Sequence, residues 1–482
     1  MLKTDVLIIG AGFLGCSLAR ELSKYKLDIR VLEKGYDLGE GATKANSGVI
    51  YPGIHARAGS FKAKANIQGN KMFDDISKEL DIPFKRIGSL YVSFHKDSFE
   101  LFNKKYRNGY LNKAPGIRVI EKDEILEMEP NINKKAIKAI YNPSTGIISP
   151  FGMILAFAEN ANENKVEFDF DTEVISVEKY SNDYYLVNTS KEIYLAKYIV
   201  NVAGSFAREL EGQVTNEDLV VKPKRGEYFI TDKWTGSLIN HVVFQAQDND
   251  EGGTLLTPTI SGNLLIGPTS KDINSYRKKE TTKEGYDHLM RVAKKVLPSF
   301  DENTIIGSFA GIRINIVNLP KEEKDFVVRV SSPRFISAVG IKNPGMTASP
   351  YLALEMKKLL IKEGLKLEER SDFNPYRKKQ EPFFNLDKNI RDKKIKDNKD
   401  YGKVICRCEK ITKADIIDAL NRPLAPKTLD GFKMRLRIGM GTCQGSFCTG
   451  KMVDIMSEVL NIKPEKVLKN LEGSQIVKGR LK

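Results

Sequence analysis

Four of the five cysteines lie near the C-terminus, in a spacing that suits metal binding. They form a Cys-x-Cys pair, a gap of thirty-four residues and a Cys-x4-Cys pair. Four thiolates are the ligands of a [2Fe–2S] cluster, whereas zinc sites usually place two to four residues between paired cysteines, unlike the first pair here. The spacing therefore favours an iron–sulfur cluster over zinc or unliganded thiols, with the ligands Cys406, Cys408, Cys443 and Cys448.

A second group of residues, near the N-terminus, suits a dinucleotide. Gly10, Gly12 and Gly15 follow the pattern in which the first glycine turns the chain, the second admits a pyrophosphate and the third lets a helix pack on a strand. Glu33 is the carboxylate that accepts hydrogen bonds from a ribose diol in such sites. We therefore predict that these four residues bind a dinucleotide cofactor.

The elements around this motif are those that a dinucleotide site requires. Residues 5–9 form a β-branched apolar run that predicts a buried parallel strand, and Leu18, Ala19 and Leu22 then recur at helical spacing. The run 29–33 predicts the next strand and ends in the acidic residue. The N-terminus of the helix between the two strands would direct free N–H groups and a positive dipole end at the phosphates.

A loop of small residues, 41–48, follows the acidic strand and would let extended backbone run close to a larger cofactor. Here the chain resembles the D-amino-acid oxidase and glycerol-3-phosphate dehydrogenase superfamily of flavoproteins. The superfamily's landmarks recur in the same order over roughly the first 365 residues, which implies FAD as the cofactor. The matching landmarks are residues 146–150, 172–174, 200–204, 224–228, 262–268, 309–313 and 339–347.

The resemblance also implies which residues contact the FAD. In this superfamily the strand matching 335–339 leads through a Pro-Gly turn into a helix, here beginning near Thr347, whose N-terminus faces the flavin pyrimidine edge. The helix dipole would stabilise the negative charge that collects there on reduction. Beyond the glycine motif and Glu33, the implied contacts are Thr43, Asn46, Ser47, Val174, Ala203, Gly204, Gly311, Gly345, Met346 and Thr347.

Cationic residues beside these landmarks suit an anionic substrate. Arginine binds two oxygens of a carboxylate or phosphate at once, and the resemblance places Arg313 where the substrate anion is bound. Lys342 is the second predicted contact, and Arg225 is a further candidate. A surface position without a role in binding is the alternative for all three.

Oxidation of a carbinol carbon also needs a base that accepts the hydroxyl proton. Relatives often have a histidine two residues before the glycine that is Gly53 here, and this chain has Tyr51 at that position, with His55 four residues later. We predict either that His55 acts as the base or that Tyr51 does so with a lowered pKa. A different substrate is the third possibility.

Two lines of resemblance suggest the substrate. Residues 42–47 together with the C-terminal cysteines look most like the bacterial anaerobic glycerol-3-phosphate dehydrogenase family, whereas 46–50 and the Arg-Gly-Glu-Tyr motif also resemble L-2-hydroxyglutarate dehydrogenases. We therefore expect an enzyme that oxidises sn-glycerol 3-phosphate to dihydroxyacetone phosphate, or a similar anionic secondary alcohol. The alternatives are a 2-hydroxy acid dehydrogenase, an amino-acid or amine oxidase of the same superfamily, and a non-catalytic electron-transfer flavoprotein.

The cysteine region resembles the bacterioferritin-associated ferredoxin type of [2Fe–2S] domain. Because a flavin takes up two electrons and such a cluster carries one, the combination implies stepwise discharge to a partner rather than to oxygen. Family precedent makes that partner a second flavoprotein or a quinone-linked subunit. A structural or sensing role for the cluster stays open.

The predicted fold is α/β: a Rossmann-type FAD-binding domain interleaved with a mostly antiparallel substrate-binding sheet, then a small α-helical iron–sulfur domain. The oxidoreductase unit spans 1–368, a charged linker or extended wrap 369–400, and the [2Fe–2S] domain with a C-terminal tail 401–482. Within the first unit, the FAD-binding segments are about 1–80, 150–215 and 325–368, and the substrate-binding segments are about 81–149 and 216–324.

Length and composition fit this organisation. A chain of 482 residues is two to three times the usual domain size, and 41% hydrophobic residues can form a substantial core. The net charge of +15 indicates a solvated basic surface rather than a nucleic-acid site, because aromatic residues are not interleaved with the basic ones. No apolar run reaches the roughly eighteen residues of a spanning helix. We therefore expect a cytoplasmic protein, with peripheral membrane contact left open.

Overall fold

The computed structural model describes residues 1–217, 219–246, 253–320, 325–377 and 381–479. Residues 378–380 of the predicted linker and 480–482 of the predicted tail lie outside the described residues. None of the helices in the described ranges is long and apolar enough to cross a membrane.

The strands of the described residues follow one another in this order: β1 (Leu2–Ile9), β2 (Ile29–Leu32), β3 (Val49–Ile50), β4 (Phe84–Arg86), β5 (Ser89–Ser93), β6 (Arg118–Glu121), β7 (Lys138–Asn142), β8 (Gly146–Ile148), β9 (Glu167–Asp169), β10 (Val174–Lys179), β11 (Tyr185–Thr189), β12 (Ile193–Asn201), β13 (Val221–Thr231), β14 (Val242–Gln245), β15 (Leu255–Pro258), β16 (Leu264–Gly267), β17 (Lys271–Asp272), β18 (Ile305–Ile316), β19 (Val327–Ser332), β20 (Phe335–Val339), β21 (Val404–Cys406) and β22 (Ile411–Thr412).

The α-helices of the same residues are α1 (Phe13–Leu22), α2 (Phe61–Glu79), α3 (Phe99–Leu111), α4 (Lys122–Met128), α5 (Pro150–Glu163), α6 (Ala207–Glu211), α7 (Lys283–Val296), α8 (Gly345–Lys362), α9 (Lys388–Asp397), α10 (Lys413–Leu420), α11 (Leu429–Leu436) and α12 (Thr449–Leu460).

The first large sheet has the parallel centre that the sequence predicts. Its order is β10-β11-β12-β1-β2-β9, and β20, with β19 beside it, pairs with the end of β12. Strands β12, β1, β2 and β9 run parallel. The second half of β1 is buried because a parallel sheet is covered on both faces, and α1 packs against α5 and α8 beside it. The predicted Rossmann-type domain is confirmed.

The second large sheet is mostly antiparallel, as predicted. Its order is β17-β13-β16-β15-β14-β5-β7-β6, with β18 along β13, and only β14 and β5 run parallel. Helix α7 packs on this sheet because its leucine, methionine, valine and alanine side chains recur on one face and are buried there. Strands of the two sheets alternate along the chain, so the two domains are interleaved.

The C-terminal part of the chain is small and mainly helical, which confirms the predicted fold of this region. Strands β21 and β22 form a short hairpin, and α10, α11 and α12 pack around one apolar cluster. The sequence predicts a helix from Thr412 to Leu420, and Thr412 is its N-cap. Its hydroxyl accepts the N–H of Asp415, whose carboxylate accepts the N–H of Thr412, so both groups are satisfied at the helix start.

The structure differs from the sequence prediction in several places. The strand predicted over 5–9 begins at Leu2, and the strand predicted over 29–33 ends at Leu32. The landmark 172–174 also reads as a strand in the sequence, but only Val174 belongs to one, and the N–H of Thr172 donates to the Glu33 carbonyl at 2.9 Å instead. The charged segment after Leu365 is an extended wrap at first: Asn160 of α5 donates to the carbonyl of Asn374 at 3.0 Å. It then forms α9, a helix without buried residues, which the aperiodic sequence did not indicate.

Candidate functional site

The turn between β1 and α1 is packed so closely that only glycine fits. Gly10 has φ +109°, and a β-carbon there would lie 2.8 Å from the carbonyl oxygen of Val202. A β-carbon at Gly15 would lie 1.9 Å from the carbonyl oxygen of Gly10. Helix α1 begins after Gly12, and its first turn contains no acidic residue, so its positive end suits a pyrophosphate. Thr43 lies beside this end and accepts the N–H of Phe13 at 3.3 Å.

Glu33 lies directly after β2, and its side chain connects the end of that strand to the glycine turn between β1 and α1. One carboxylate oxygen accepts the N–H of Ala11 at 3.0 Å, and the other accepts the N–H of Gly35 at 2.9 Å. Burial raises the pKa of Glu33, although both N–H groups oppose the rise. Each oxygen keeps a second lone pair, so the predicted contact with a ribose diol remains compatible with these bonds.

The other predicted cofactor residues lie along one edge of the parallel-centred sheet, where β1, β2, β12 and β20 finish, and they form two groups at the two ends of that edge. Ala203 and Gly204 follow β12, and the α-carbon of Ala203 is close to Gly10. Val174 lies two residues after the backbone partner of Glu33, at the start of β10. These positions group with the glycine motif, at the end where the pyrophosphate and adenosine parts of a dinucleotide would lie.

The second end is formed by the small-residue loop and the start of α8. Thr347 in the first turn of α8 is buried, and its hydroxyl accepts the N–H of Tyr51 at 3.0 Å. Asn46 closes the loop by accepting the N–H of Gly48 at 2.8 Å. A β-carbon at Gly311 of β18 would lie 2.7 Å from that of Ala45, so strand and loop are in close contact. The first turn of α8, which also contains Gly345 and Met346, has no acidic residue.

Arg313 and Lys342, the two predicted cationic contacts of the substrate, both lie at this second end, and both act electrostatically on Lys62 of α2. Arg313 is on β18, and its Nη2 donates to the hydroxyl of Ser270 at 2.7 Å. Lys342 follows β20, and its Nζ donates to the side chain of Asn315 at 2.6 Å. Asn315 is two residues after Arg313 and therefore on the same face of β18. The two cations come from different sheets and meet where an anionic group can bind.

Arg225 does not belong to this group, which corrects the third cationic candidate. Its guanidinium is buried and forms ion pairs with Glu227 at 3.0 Å and Glu280 at 3.1 Å. Lys224, the preceding residue of β13, is the one opposite Arg313 in the sheet. Because neighbouring residues of a strand face opposite ways, Arg225 faces away from Arg313.

Tyr51 lies beside Arg313, but its pKa shifts in the direction opposite to the one predicted for a base. Its side chain is buried and its hydroxyl hydrogen bonds with Ser47 and Asn343. Burial raises the pKa of Tyr51, although Ser47, Asn343 and Arg313 oppose the rise. A lowered pKa was the condition for Tyr51 to act as a base, and burial acts against that condition, so a role of Tyr51 as the base stays a prediction.

His55 lies in a group of aromatic side chains next to Tyr51. Its ring centroid is 5.7 Å from that of Tyr51, 4.8 Å from that of Phe244 and 6.3 Å from that of Tyr91. The imidazole is therefore close to the substrate-binding end, and its role as a base stays a prediction.

Several residues at this end were missed by sequence reasoning. Ser270, Asn315 and Asn343 hold the predicted cations and the tyrosine hydroxyl, and Lys62 of α2 lies within electrostatic reach of Lys342. Asn343 belongs to a superfamily landmark and could have been named from it. Lys62 carries no comparable signal, because lysines occur throughout the chain.

The four predicted cysteine ligands form two thiol pairs. The Sγ atoms of Cys408 and Cys443 are 3.6 Å apart, and Cys448 lies next to Cys406. Burial and the neighbouring thiol raise the pKa of Cys448 to about 11. Bonds of about 2.3 Å in a tetrahedral metal site place two sulfurs about 3.8 Å apart, so each pair suits one metal.

Two metals, rather than one, match this arrangement. A [2Fe–2S] cluster needs two cysteines on each iron, and each pair here takes one cysteine from each half of the sequence motif. The thiols therefore fit a [2Fe–2S] cluster, and the glycine turn with the open ends of α1 and α8 fits FAD.

The C-terminal domain, residues 401–479, is held against the rest of the chain by polar contacts. Arg435 donates to both carboxylate oxygens of Asp37, at 2.5 and 3.0 Å, and both side chains are almost wholly buried. A further contact joins the hydroxyl of Thr442 to Asp232 at 2.8 Å. Since Asp37 follows β2 and Asp232 follows β13, the domain touches both domains of the oxidoreductase unit.

Comparisons with known proteins agree with this geometry. The family model described as FAD dependent oxidoreductase (DAO) matches residues 5–359, and that of the BFD-like [2Fe-2S] binding domain matches residues 404–458. A glycerol 3-phosphate dehydrogenase of Caloramator mitchellensis is 39% identical over 480 residues, with 99% of each chain covered. A glycerol 3-phosphate oxidase of Mycoplasma pneumoniae is 32% identical, with 74% of this chain and 94% of the relative covered.

A solved structure gives the same result. Dithionite-reduced L-alpha-glycerophosphate oxidase from Mycoplasma pneumoniae with FAD bound superposes with a TM-score of 0.73 at 31% identity, over 78% of this chain and 98% of that one. The predicted cofactors, FAD and a [2Fe–2S] cluster, are confirmed. The chain belongs to the DAO family of FAD-dependent oxidoreductases and carries a BFD-like [2Fe–2S] domain C-terminal to the family's domain.

Proposed function

We propose that this protein oxidises sn-glycerol 3-phosphate to dihydroxyacetone phosphate and passes the electrons through its cluster to a partner protein. The observation that carries the proposal is the meeting of Arg313 and Lys342 at the end of the fold where α8 begins, because two fixed cations suit a phosphate ester. The full-length relative named a glycerol 3-phosphate dehydrogenase supports the same substrate.

The residues of the site have distinct tasks in this reaction. Bound FAD would accept the electrons and the hydrogen that leave the carbinol carbon. Arg313 and Lys342 bind the anionic end of the substrate and so fix the distance of its hydroxyl from the cofactor. Tyr51 stays protonated near neutral pH, and we assign the hydroxyl proton to His55, 5.7 Å away from it between ring centroids.

The electrons leave through the C-terminal domain. Cys406 and Cys448 are buried, whereas Cys408 is exposed and Cys443 is partly exposed, so one edge of the cluster faces the solvent. Arg407, directly before the exposed Cys408, and Lys410, two residues after it, are themselves exposed. These two basic residues at the cluster rim, beside the exposed Cys408, favour an acidic acceptor, so we propose an acidic flavoprotein or quinone-linked subunit as the partner.

Anaerobic reduction of the purified holoenzyme tests the substrate. Glycerol 3-phosphate should bleach the flavin absorbance near 450 nm within seconds, on the order of ordinary enzyme turnover, and L-2-hydroxyglutarate, an amino acid and glycerol serve as competing additions. Bleaching by L-2-hydroxyglutarate alone would move the assignment to a 2-hydroxy acid dehydrogenase. Bleaching by none of the four would leave an electron-transfer flavoprotein.

A second measurement separates a dehydrogenase from an oxidase. After reduction by glycerol 3-phosphate, the enzyme is mixed either with oxygen or with a one-electron acceptor such as ferricyanide. A dehydrogenase that uses its cluster should be reoxidised faster by the one-electron acceptor and should release little hydrogen peroxide. Stoichiometric peroxide at a rate that matches turnover would contradict the partner-linked reaction.

A further inference from the structure

Lys62 lies on the face of α2 that contacts the substrate end of the fold. It is the second residue of the helix, and its N–H donates to Asp325 at 2.8 Å. One and two turns later on the same face, Asn66 and Asn70 donate to the carbonyl of Tyr51, at 3.1 and 2.9 Å. Lys62, Asn66 and Asn70 therefore form one row along α2. Lys62 is the first residue of this row and lies one turn before the two asparagines that hold the Tyr51 carbonyl.

The charges around Lys62 are mostly positive. Lys342 after β20, Arg313 on β18 and Lys105 on α3 all act on its ammonium group, and Asp325 before β19 is the carboxylate that acts against them. Burial, followed by Lys342, lowers the pKa of Lys62 to about 7. Four cations with one carboxylate among them form a site that attracts an anion carrying more than one charge.

We propose that Lys62 binds the phosphate group of the substrate, together with Lys342 and Arg313. The inference deepens the proposed function and rests on it, because it assigns the anionic end of the same substrate. The planar guanidinium of arginine binds two phosphate oxygens at once, and each lysine adds one compact positive charge. A carboxylate with a single negative charge would balance fewer of these positive charges than a phosphate dianion does. The cluster therefore selects a dianionic phosphate monoester over a singly charged hydroxy acid.

The proposal has a consequence for pH. A phosphate ester loses its second proton near pH 6, so the dianion is the main form above that value. Lys62 is about half protonated near pH 7 in the free protein, and a bound dianion favours its charged form. Binding at pH 8 should therefore take up close to one proton, and affinity should fall as the pH rises from 7 towards 9.

Calorimetric titration of the holoenzyme with inorganic phosphate tests the proposal without turnover. The number of protons taken up at pH 8 follows from titrations in two buffers of different ionisation enthalpy. In the wild type we expect close to one proton per site and an affinity that weakens above pH 8. Uptake near zero, or an affinity that does not change between pH 7 and 9, would overturn the proposal.

The variant Lys62→Met adds a second test, with Lys64→Met as its matched control. Lys64 is on the same helix but exposed, and its ammonium contacts Tyr351. Loss of one charge-assisted contact should raise the dissociation constant of phosphate and the KM for glycerol 3-phosphate about ten- to a hundred-fold in K62M, with kcat little changed. K64M should match the wild type in both.

The outcomes separate this inference from the proposed function. K62M is compared with the wild type only if the two have equal FAD content and equal unfolding temperature. If the variant does not fold, the wild-type titration alone tests the proposal. An unchanged KM, or a fall in kcat alone, would show that Lys62 does not hold the phosphate. If glycerol 3-phosphate fails to reduce the wild type while phosphate binding still depends on Lys62, the anion site stands and the substrate assignment fails.

Discussion

Replacing Glu159 by glutamine would remove a buried charge that joins three parts of the chain. Glu159 lies on α5 and accepts hydrogen bonds from Arg377 of the wrap at 2.6 Å and from Arg422 of the C-terminal domain at 2.7 and 3.1 Å. The exposed fractions of the three side chains are 2%, 9% and 20%. The amide keeps the shape of the carboxylate, but it removes the charge that both guanidinium groups contact directly.

The size of the effect follows from this burial. Breaking a buried ion pair and leaving one partner behind costs about 3–5 kcal/mol. Arg422 is a fifth exposed and the glutamine oxygen still accepts a hydrogen bond, so we expect the lower end, about 3 kcal/mol. In a cooperative unit of 150 to 250 residues, about 1 kcal/mol shifts Tm by 2–4 °C, which gives a decrease of roughly 6–12 °C.

The effect should depend on pH in a defined direction. Burial alone would raise the pKa of Glu159, but Arg422 and Arg377 outweigh it, and the net shift is downward from the usual value of 4.5. A group whose pKa is lower in the folded state than in the unfolded state stabilises the fold when the pH is above its unfolded-state pKa. This stability is lost as the pH falls through the folded-state pKa. The difference between wild type and E159Q should be full at pH 7 and should shrink below about pH 4.5.

Thermal unfolding measures this difference, with flavin fluorescence reporting on the oxidoreductase unit and cluster absorbance on the C-terminal domain. The cluster transition of E159Q should precede the flavin transition, because the lost charge joins the two parts. Glu124→Gln is the control, since Glu124 forms an exposed ion pair with Arg118 and should leave Tm unchanged. A Tm for E159Q within the error of the wild type at pH 7 would refute this reasoning.

Three further variants test other parts of the structure. Gly15→Ala should abolish tight FAD binding, because its β-carbon would lie 1.9 Å from the carbonyl oxygen of Gly10, and the ratio of flavin to protein in the purified variant measures the loss. Arg313→Ala should raise the KM for glycerol 3-phosphate by about a hundred-fold, as expected for a charged hydrogen bond to phosphate, and steady-state kinetics with an unchanged KM would remove Arg313 from the site. Cys443→Ser should lose the cluster spectrum and keep substrate-dependent flavin bleaching, and loss of both would show that the domains do not fold separately.

The elements that were predictable from the sequence are those whose pattern has one physical meaning. The buried strand Phe335–Val339 has the predicted bounds, because an apolar run between a turn and a Pro-Gly segment fits a fully buried parallel strand. The glycine turn was predictable because backbone contacts at Gly10 and Gly15 exclude every side chain. The spacing of the four C-terminal cysteines was informative for the same reason, because few kinds of structure require four cysteines in this pattern.

The residues that escaped prediction act through neighbours that are distant in sequence. Lys62 becomes unusual only because α2 places it near Arg313 and Lys342, which lie 251 and 280 residues further along the chain. The sequence suggested that Arg225 binds an anion, but its position on β13 places its side chain on the face of Glu227, with which it forms an ion pair. A sequence shows which residue types are present, but the sign of a pKa shift or the partner of a cation depends on packing between elements.

The position of β13 leads us to expect that substrate binding and electron exit can be changed independently. Arg313 pairs opposite Lys224 near one end of β13, whereas Asp232, directly after the other end, contacts Thr442 of the C-terminal domain. Eight residue steps of extended backbone lead from Lys224 to Asp232, which is about 26 Å. A charge reversal at Arg407 on the cluster rim should therefore slow reoxidation by an anionic acceptor and weaken its dependence on salt, while the KM for the substrate stays unchanged. A change in both would mean that the C-terminal domain also shapes the substrate site.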